Sequence, residues 1–476
     1  MVMEELIVSI SGVRGIVGQS LTASVAADYG CAFGTFLKQR GTLVDGPVSV
    51  CIGRDSRPSG PMLLSAVAAG LCSVGVNVVD VGLAATPSVG VMLRHLGCAG
   101  GVIITASHNP GPYNGIKLLL DNGVAPPKDQ ADKIRARFVD RRFSLVDSVG
   151  CGKIGRDESV GDVHISKVLS IVDRNLIASR RFRVVLDSVN GAGGPVTKKL
   201  LGELGCEVYA VNDEPTGLFA HGPEPLAENL GGLCDEVRTS EADVGFAQDP
   251  DADRLAIVDE KGKYIGEEYT LALAAKHIFS KCGGMAATNL STSRMIDDIA
   301  AKAGAKVIRT PVGEANVAAA MMENNCVIGG EGNGGVIDLR VGPVRDSLVA
   351  IALVLQLMAE TGKMISELVR EIGGYYMSKD KFRADGRQAE EIFARAAIAL
   401  AGAKVNKSDG YRFDFEDGWV HIRASNTEPV VRVIVEARDE AVARKYLSVI
   451  NEVRAQVMGK AAAIERDTKT PRETGG

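Results

Sequence analysis

Short apolar runs alternate along most of the chain with longer segments of helical periodicity, and clusters of glycine and serine stand between them. Three stretches show the pattern best: "VSVCIGRDSRPSGPMLLSAVAAGLCSVGVNVVDVG" (48–82), "FRVVLDSVNGAGGPVTKKLLGELGCEVYAVN" (182–212) and "AATNLSTSRMIDDIAAKAGAKVIRTPVG" (286–313). Each reads strand, polar turn, helix, strand. Each helix stops near a glycine (Gly75, Gly205 or Gly304), the residue that best takes the left-handed conformation closing a helix. Strands alternating with helices of this length imply parallel or mixed sheets covered by helices, and the repetition predicts three similar mixed α/β domains. "DGWVHIRASNTEPVVRVIVEA" differs. Two strands with period-two alternation flank a polar loop, and a helix follows over 439–457, so a smaller α+β domain with an antiparallel sheet closes the chain. The polar stretches 150–163 and 373–379 read as linkers. The expected domains are 1–152, 153–260, 261–372 and 373–460, followed by a charged tail, 461–476, that is expected to fray.

With 476 residues the chain is too long for a single core, which agrees with several domains. Hydrophobic residues at 46% and charged residues at 24% are the balance of a soluble globular protein. A net charge of -5 without a long basic run argues against nucleic-acid or anionic-membrane partners, so an anionic ligand must be held by a local cluster of donors. No run approaches a membrane span, and the start, MVMEELIVSISG, has no basic region ahead of its apolar residues. The 9 cysteines are scattered singly, as expected of reduced thiols in a cytoplasmic protein. A homo-oligomer is compatible with the sequence.

The chemistry sits in the loops. In "GVIITASHNPGPYNGIK" (101–117) a buried strand stops at polar residues, and Pro110 keeps a helix from starting at once. Ser107 is thereby held on a short, stiff turn, and both a plain turn serine and a reactive hydroxyl remain open. In "DVGFAQDPDADRLAIVDEKGKYIG", Asp249, Asp251 and Asp253 alternate between two strands. Three carboxylates so close repel unless a cation lies between them, and all-oxygen ligation suits Mg²⁺ or Ca²⁺. An acidic solvated turn is the bland alternative. An EF-hand is rejected, because Arg254 stands where its glycine belongs and strands replace its helices. Arg254 neutralises the aspartates and is placed to reach a phosphate. "RASNTEPVVRV" frames a tight run of donors, Ser425, Asn426 and Thr427, between Arg423 and Arg432, the composition of an anion-binding loop. "IGGEGNGGVIDLR" lets Glu331 and Asn333 project from a glycine-rich backbone, which suits the hydroxyls of a sugar. "SISGVRGIVG" places Arg14 among glycines, and "GRDSRPSG", with Arg54 and Arg57, reads as a structural turn.

Taken in order, SGVRG, TASHNP, DPDADR, GEGNGG and RASNTEP resemble the α-D-phosphohexomutase superfamily over nearly the whole chain. The resemblance implies four domains around a cleft, each giving one loop, and a reversible exchange between hexose 1-phosphate and hexose 6-phosphate. It implies that Ser107 carries the phosphoryl group and, with Asp249, Asp251 and Asp253, holds Mg²⁺. It further implies a hexose 1,6-bisphosphate intermediate that also serves as activator. Lys117 matches the superfamily's lysine after the serine loop and is the proton carrier, with His108 as orienting or phosphate-binding neighbour. Arg14 and Arg254 line the cleft, Glu331 and Asn333 take the sugar, and Arg423, Ser425, Asn426, Thr427 and Arg432 take the distal phosphate.

Four positions depart from the superfamily's pattern. Asn333 stands where serine is common, Gly335 where histidine is common, Glu314 where another histidine often stands, and Ser347 where glycine is common. These are read as specificity elements. The SISGVRGIVG and GEGNGG versions resemble the branch often assigned as phosphoglucosamine mutases, and Glu314 is the carboxylate that would pair a 2-ammonium group; glucose and mannose phosphates are the runner-up substrates. Outside the class, a Mg²⁺-dependent phosphatase with an Asp-x-Asp loop and a non-catalytic sugar-phosphate-binding protein are the rivals.

Overall fold

All three repeated stretches fold as their periodicity predicts. The first gives the strand Ser49–Arg54, helix Gly60–Ser73 and strand Asn77–Leu83. The second gives Arg183–Asp187, Gly193–Glu203 and Glu207–Val211, and the third Met285–Asn289, Met295–Lys302 and Lys306–Thr310. The glycine past each helix is left-handed, with φ of 79° at Gly75, 71° at Gly205 and 66° at Gly304. The computed structural model describes residues 6–9, 12–41, 47–425 and 430–468, with side chains given up to residue 459. It divides into one unit of Met1–Thr292, Ile296–Arg309 and Gly313–Ile372 and a second of Ser293–Met295, Thr310–Val312 and Gly373–Gly476.

The first unit holds three sheets. The largest has seven strands in the order Ile7–Ser9, Gly12–Ile16, Tyr113–Leu120, Gly100–Ile104, Ser49–Arg54, Asn77–Leu83, Ile154–Arg156. Its middle strand, Gly100–Ile104, is buried at every residue. Burial on both faces is why it reads as an unbroken apolar run rather than an alternation. Val102 and Ile104 face one core with the helices Ala23–Arg40 and Gly60–Ser73, while Ile103 faces another with Thr86–His95. The two other sheets have four strands each: Leu255–Val258, Val244–Gln248, Arg183–Asp187, Glu207–Val211, and Lys306–Thr310, Met285–Asn289, Ile328–Glu331, Gly335–Ile337.

One buried relay joins elements of all three sheet layers. Ser88 lies 2.8 Å from His164 Nδ1, and His164 Nε2 lies 2.7 Å from Asp346. The arrangement resembles a hydrolase triad, but all three residues are buried. A nucleophile sealed from solvent has no substrate, so the relay is a structural pin. Asp346 also caps the helix Ser347–Thr361, accepting from the Leu348 and Val349 amides. That helix is buried from Ser347 to Ala359, which accounts for its apolar surface all round. No single helix among the described residues is long and apolar enough to cross a membrane.

The second unit is an antiparallel five-stranded sheet, ordered Tyr376–Arg383, Val430–Ala437, Gly418–Ala424, Tyr411–Asp414, Lys404–Asn406. Val431, Val433 and Val435 alternate into a core shared with Ile392, Phe393, Ile450 and Val453, as the period-two reading requires.

Three expectations are corrected. Residues 154–156 of the first linker form an edge strand parallel to Asn77–Leu83. All three residues are exposed, so no hydrophobic pattern marks them. The second linker ends early, because Tyr376–Arg383 pairs with Val430–Ala437; its Lys379-Asp380-Lys381 run is the charged dress of an edge strand. The last helix runs Glu440–Thr468, past the point where the tail was expected to begin. The alanines and glutamate after Lys460 are strong helix formers.

Candidate active site

The serine loop leaves the end of the central strand under tight restraint. Thr105 Oγ1 donates to Asp55 (2.7 Å) and accepts from the Ser107 amide (2.8 Å). Ser107 itself takes a left-handed φ of 48°, rare for a residue with a side chain. The restraint comes from Arg57, which is buried. Its guanidinium donates to the carbonyls of Ser107 (2.6 Å), Asn109 (2.6 Å), Pro110 (3.0 Å) and Tyr113 (2.9 Å), and its Nε to Asp55 (3.1 Å). The structural reading of the GRDSRPSG turn therefore understates it: this arginine shapes the loop that carries the serine. Arg57→Ala takes the guanidinium donor from four loop carbonyls and from Asp55, which keeps Thr105 Oγ1 and the backbone amide of residue 57. The expected loss is about 3–5 kcal/mol of stability in chemical denaturation, and Arg57→Lys recovers only a small part because one ammonium cannot span the same set.

Ser107 Oγ donates to Asp249 Oδ2 at 2.9 Å. Asp249, Asp251 and Asp253 are fully buried, and one ligand oxygen from each lies within 4.8 Å of the others. The loop is pinned from several sides. Asp249 Oδ1 accepts from the amides of Asp253 and Arg254, each at 3.1 Å. Asp251 Oδ2 accepts from Thr86 Oγ1 (2.7 Å) and Lys117 Nζ (2.8 Å), and Asp253 Oδ2 from Arg345 Nη2 (2.5 Å). Burial, reinforced by the charges of Asp251 and Asp253, drives the Asp249 carboxyl well above the usual carboxylate range. Burial also pushes on Asp251, but Lys117 and its hydrogen bonds outweigh that and hold it below the usual range. Lys117 is in turn held as an ammonium: burial works against its charge, and Asp251 and Asp253 overcome it.

Two buried oxygens, Asp251 Oδ1 and Asp253 Oδ1, have no hydrogen-bond partner among the described residues. Leaving a buried carboxylate oxygen bare is costly, and a hard divalent cation is the partner that three converging carboxylates supply ligands for. The residues present thus fit a metal ion.

Around this centre lie the cations. Arg14 Nη1 donates to Asn109 Oδ1 at 2.8 Å, and burial lowers its pKa against the pull of Asp251 and Asp253. Arg254 Nη1 donates to Glu224 (2.8 Å) and Nη2 to His108 Nδ1 (3.0 Å), which lies 3.4 Å from Ser107 Oγ. Burial and the adjacent Arg254 and Arg14 push the His108 imidazole down to about 2, so it stands neutral beside the serine. Arg254 Nε and Arg345 Nε are buried donors with no hydrogen-bond partner among the described residues, each with only a long approach to a carboxylate, Asp253 at 3.8 Å and Glu314 at 3.9 Å.

Arg345 was not singled out in the sequence, yet it ties the loops together. Besides Asp253 it donates through Nη1 to Glu331 (2.6 Å), and its amide donates to Glu314 (2.6 Å). Glu331 also accepts from Asn289 (2.8 Å) and the Gly313 amide (3.2 Å), so both of its oxygens are engaged. Asn333 Oδ1 accepts from the Gly335 amide at 3.3 Å. A Cβ at Gly335 would fall 2.2 Å from Arg345 Cδ, so the arginine stem fills the space a side chain at 335 would need. Glycine at 335 and arginine at 345 are thus one feature. Gly335→Ala is expected to lower the melting temperature clearly in the native background. It should do so much less in Arg345→Ala, a non-additive cycle readable by thermal melts. Additive losses would break the link between the two positions.

Ser347 changes meaning as well. It is fully buried, donates to the Ala252 carbonyl (2.6 Å) and accepts from Gln248 (2.7 Å). Both contacts make it a clamp on the Asp249–Asp253 loop, a structural role that its reading as a specificity element left out.

The first unit therefore gathers Arg14, Ser107, His108, Lys117, the three aspartates, Arg254, Glu331 and Asn333. The second unit holds the arginine loop. Arg423 and Arg432 stand directly opposite each other across the strand pair. Like charges so placed repel; Asp409 relieves one by accepting from Arg423 Nε at 2.9 Å, while Arg432 is exposed. Ser425 donates its amide to Val430 (2.8 Å). Asn426 and Thr427 lie outside the described residues.

Comparison with known proteins matches four family models along the chain. Those for phosphoglucomutase/phosphomannomutase α/β/α domains I, II and III match residues 6–144, 162–262 and 267–375, and that for the C-terminal domain matches 381–453. A Thermococcus kodakarensis protein named phosphoglucomutase/phosphomannomutase is 43% identical over 92% of this chain and 95% of its own. A Methanopyrus kandleri protein named "Probable phosphoglucosamine mutase" is 37% identical over 91% and 94%. The crystal structure of a phosphoglucomutase/phosphomannomutase family protein from Burkholderia thailandensis superposes with a TM-score of 0.85 at 28% identity, covering 95% of this chain and 97% of that one.

Proposed function

The chain belongs to the phosphoglucomutase/phosphomannomutase family, and from that premise we propose that it interconverts hexosamine 1-phosphate and hexosamine 6-phosphate with Ser107 as phosphoryl carrier. The observation that carries the reading is the Ser107 hydroxyl, strained onto a rigid loop and hydrogen-bonded to the buried aspartate cluster. Phosphoryl transfer asks a protein chiefly for positioning and charge neutralisation, and this site supplies both.

Asp249, Asp251, Asp253 and the Ser107 oxygen are the residues that would hold Mg²⁺, which when bound screens the negative charge of the phosphoryl oxygens. Arg57 holds the serine loop in register. Arg254 and Arg345 keep buried guanidinium donors for phosphate oxygens. Lys117, held as an ammonium, is the acid that returns a proton to the serine oxygen as its phosphoryl group departs. The neutral amine left behind takes up the proton that the accepting sugar hydroxyl loses, so the half-reaction ends with Lys117 again an ammonium. A hexose 1,6-bisphosphate is the intermediate and the activator that primes Ser107, and Arg423, Ser425, Asn426, Thr427 and Arg432 are phosphate-binding residues. The cytoplasm is the expected compartment, consistent with nine unpaired cysteines.

Glu314 supports the amino sugar. One of its oxygens is engaged by the Arg345 amide, and its side chain retains 28% exposure, leaving carboxylate to meet an ammonium. Glucose and mannose phosphates form the second reading, favoured by the name of the Thermococcus relative. The test is a side-by-side rate assay with Mg²⁺ and a trace of bisphosphate on glucosamine, glucose and mannose phosphates. Glu314→Gln is expected to lower kcat/KM on glucosamine phosphate roughly tenfold, in line with the loss of a charge-assisted contact of about 1.4 kcal/mol, while sparing the neutral sugars. Equal loss on all three would remove Glu314 from substrate choice.

A further inference from the structure

The stretch 213–229 carries no motif in the sequence, yet it runs from the strand Glu207–Val211 to the rim of the serine loop. It is fastened at several points. Gly217, at φ 69°, comes so close to the Ser56–Arg57 turn that a Cβ would lie 2.3 Å from the Ser56 carbonyl oxygen. The Phe219 ring packs 4.9 Å from the Arg57 guanidinium. His221 bridges Asp187 (3.0 Å) and the Gly222 carbonyl (2.9 Å), and its hydrogen bond to Asp187 raises its pKa. Asn229 Nδ2 donates to the Glu224 carbonyl at 2.8 Å, which sets the backbone at that residue.

What this strap delivers is one carboxylate. Glu224 Oε1 accepts from Arg254 Nη1 at 2.8 Å and lies 3.9 Å from His108 Nε2. Arg254 Nη2 donates to His108 Nδ1, and His108 in turn borders the Ser107 hydroxyl. Arg254 and His108 project from different loops, and Glu224 meets both, through a hydrogen bond to Arg254 and an approach of 3.9 Å to the His108 ring. Resting on the mutase reading, we propose that Glu224 is a positioning residue that holds Arg254 and His108 in place against Ser107. It acts through those two groups and touches neither the serine nor the metal cluster. Its side chain is 36% exposed, so its removal opens no buried cavity.

Misplacing groups that orient a reacting phosphoryl by about 1 Å lowers turnover by up to about a hundredfold. Glu224→Ala is therefore expected to lower kcat by about 10- to 100-fold with KM within about threefold and the melting temperature unchanged. Glu224→Gln, whose amide oxygen still accepts from Arg254, should recover most of that rate. A native kcat in Glu224→Ala, a loss confined to KM, or a Gln variant no better than Ala would each overturn the proposal. The second readout needs no turnover: the ring ¹⁵N resonances of His108 should shift in Glu224→Ala and stay near native in Glu224→Gln. Unmoved resonances in Glu224→Ala overturn the positioning role by themselves. Native protein without mutase activity would instead count against the proposed function, and the His108 resonances would still decide whether Glu224 positions that ring.

Discussion

Ser107→Ala is expected to abolish mutase turnover while leaving the protein folded. Removal of a covalent carrier removes the route itself, and a loss on the order of 10⁴-fold or more is expected, as for other enzymes stripped of a nucleophile. The fold should not notice. Ser107 sits at a left-handed φ that alanine takes at much the same strain, and its loop is held by Arg57 and Thr105 rather than by its own hydroxyl. The hydroxyl does donate to Asp249, but Asp249 keeps two backbone amides as partners. The measurement pairs the rate assay with intact mass after incubation with glucose 1,6-bisphosphate. Native protein should gain one phosphate and the variant none, with superimposable circular dichroism. A variant that turns over at near-native rate would end the phosphoserine reading.

Asp251→Asn carries the second large effect. The substitution keeps the side-chain shape and removes one charge from the cluster. Lys117 then faces an amide, and the unpartnered oxygen Asp251 Oδ1 loses most of its value as a cation ligand. Affinity for the divalent ion is expected to fall by at least about 100-fold, since even outer-shell partners of a metal site are worth 10- to 100-fold. Calorimetric titration with Mn²⁺ reads this without turnover. Titration curves that coincide with those of the native protein would mean that the aspartates serve only to balance Lys117 and Arg345. Turnover should fall with the metal, because Asp251 is also the principal partner of the proposed proton carrier.

Much of the fold was legible from periodicity. The three strand–helix–strand units, their closing glycines and the antiparallel C-terminal sheet follow from local rules that need no distant partner. The edge strand Ile154–Arg156 was not legible, because a strand with both faces exposed has no alternation to read. Of the site, Ser107 and the aspartates stood out because proline and clustered charge mark their loops, while Lys117 was named only through the resemblance. Arg57, Thr86, Glu224 and Arg345 did not. Arginines in a turn, a threonine at the start of a helix and a lone glutamate are common everywhere, and their meaning lies in partners as many as 165 residues away, as for Thr86 and Asp251.

The sequence by itself determined which chemistry is available: a hydroxyl on a stiff turn, three carboxylates that repel without a cation, and arginines framing donor-rich loops. These follow from covalent chemistry and short-range backbone limits, which act over a few residues. Only the tertiary structure decided how the groups are used. It gave Asp253 and Glu331 a common partner in Arg345, filled the space at residue 335 with that arginine's stem, and made Ser347 a clamp on the Asp249–Asp253 loop. Burial is the physical reason. Once these groups leave water, every donor and acceptor must find its partner inside the protein, and which partner is within reach depends on how the sheets pack, not on the order of residues along the chain.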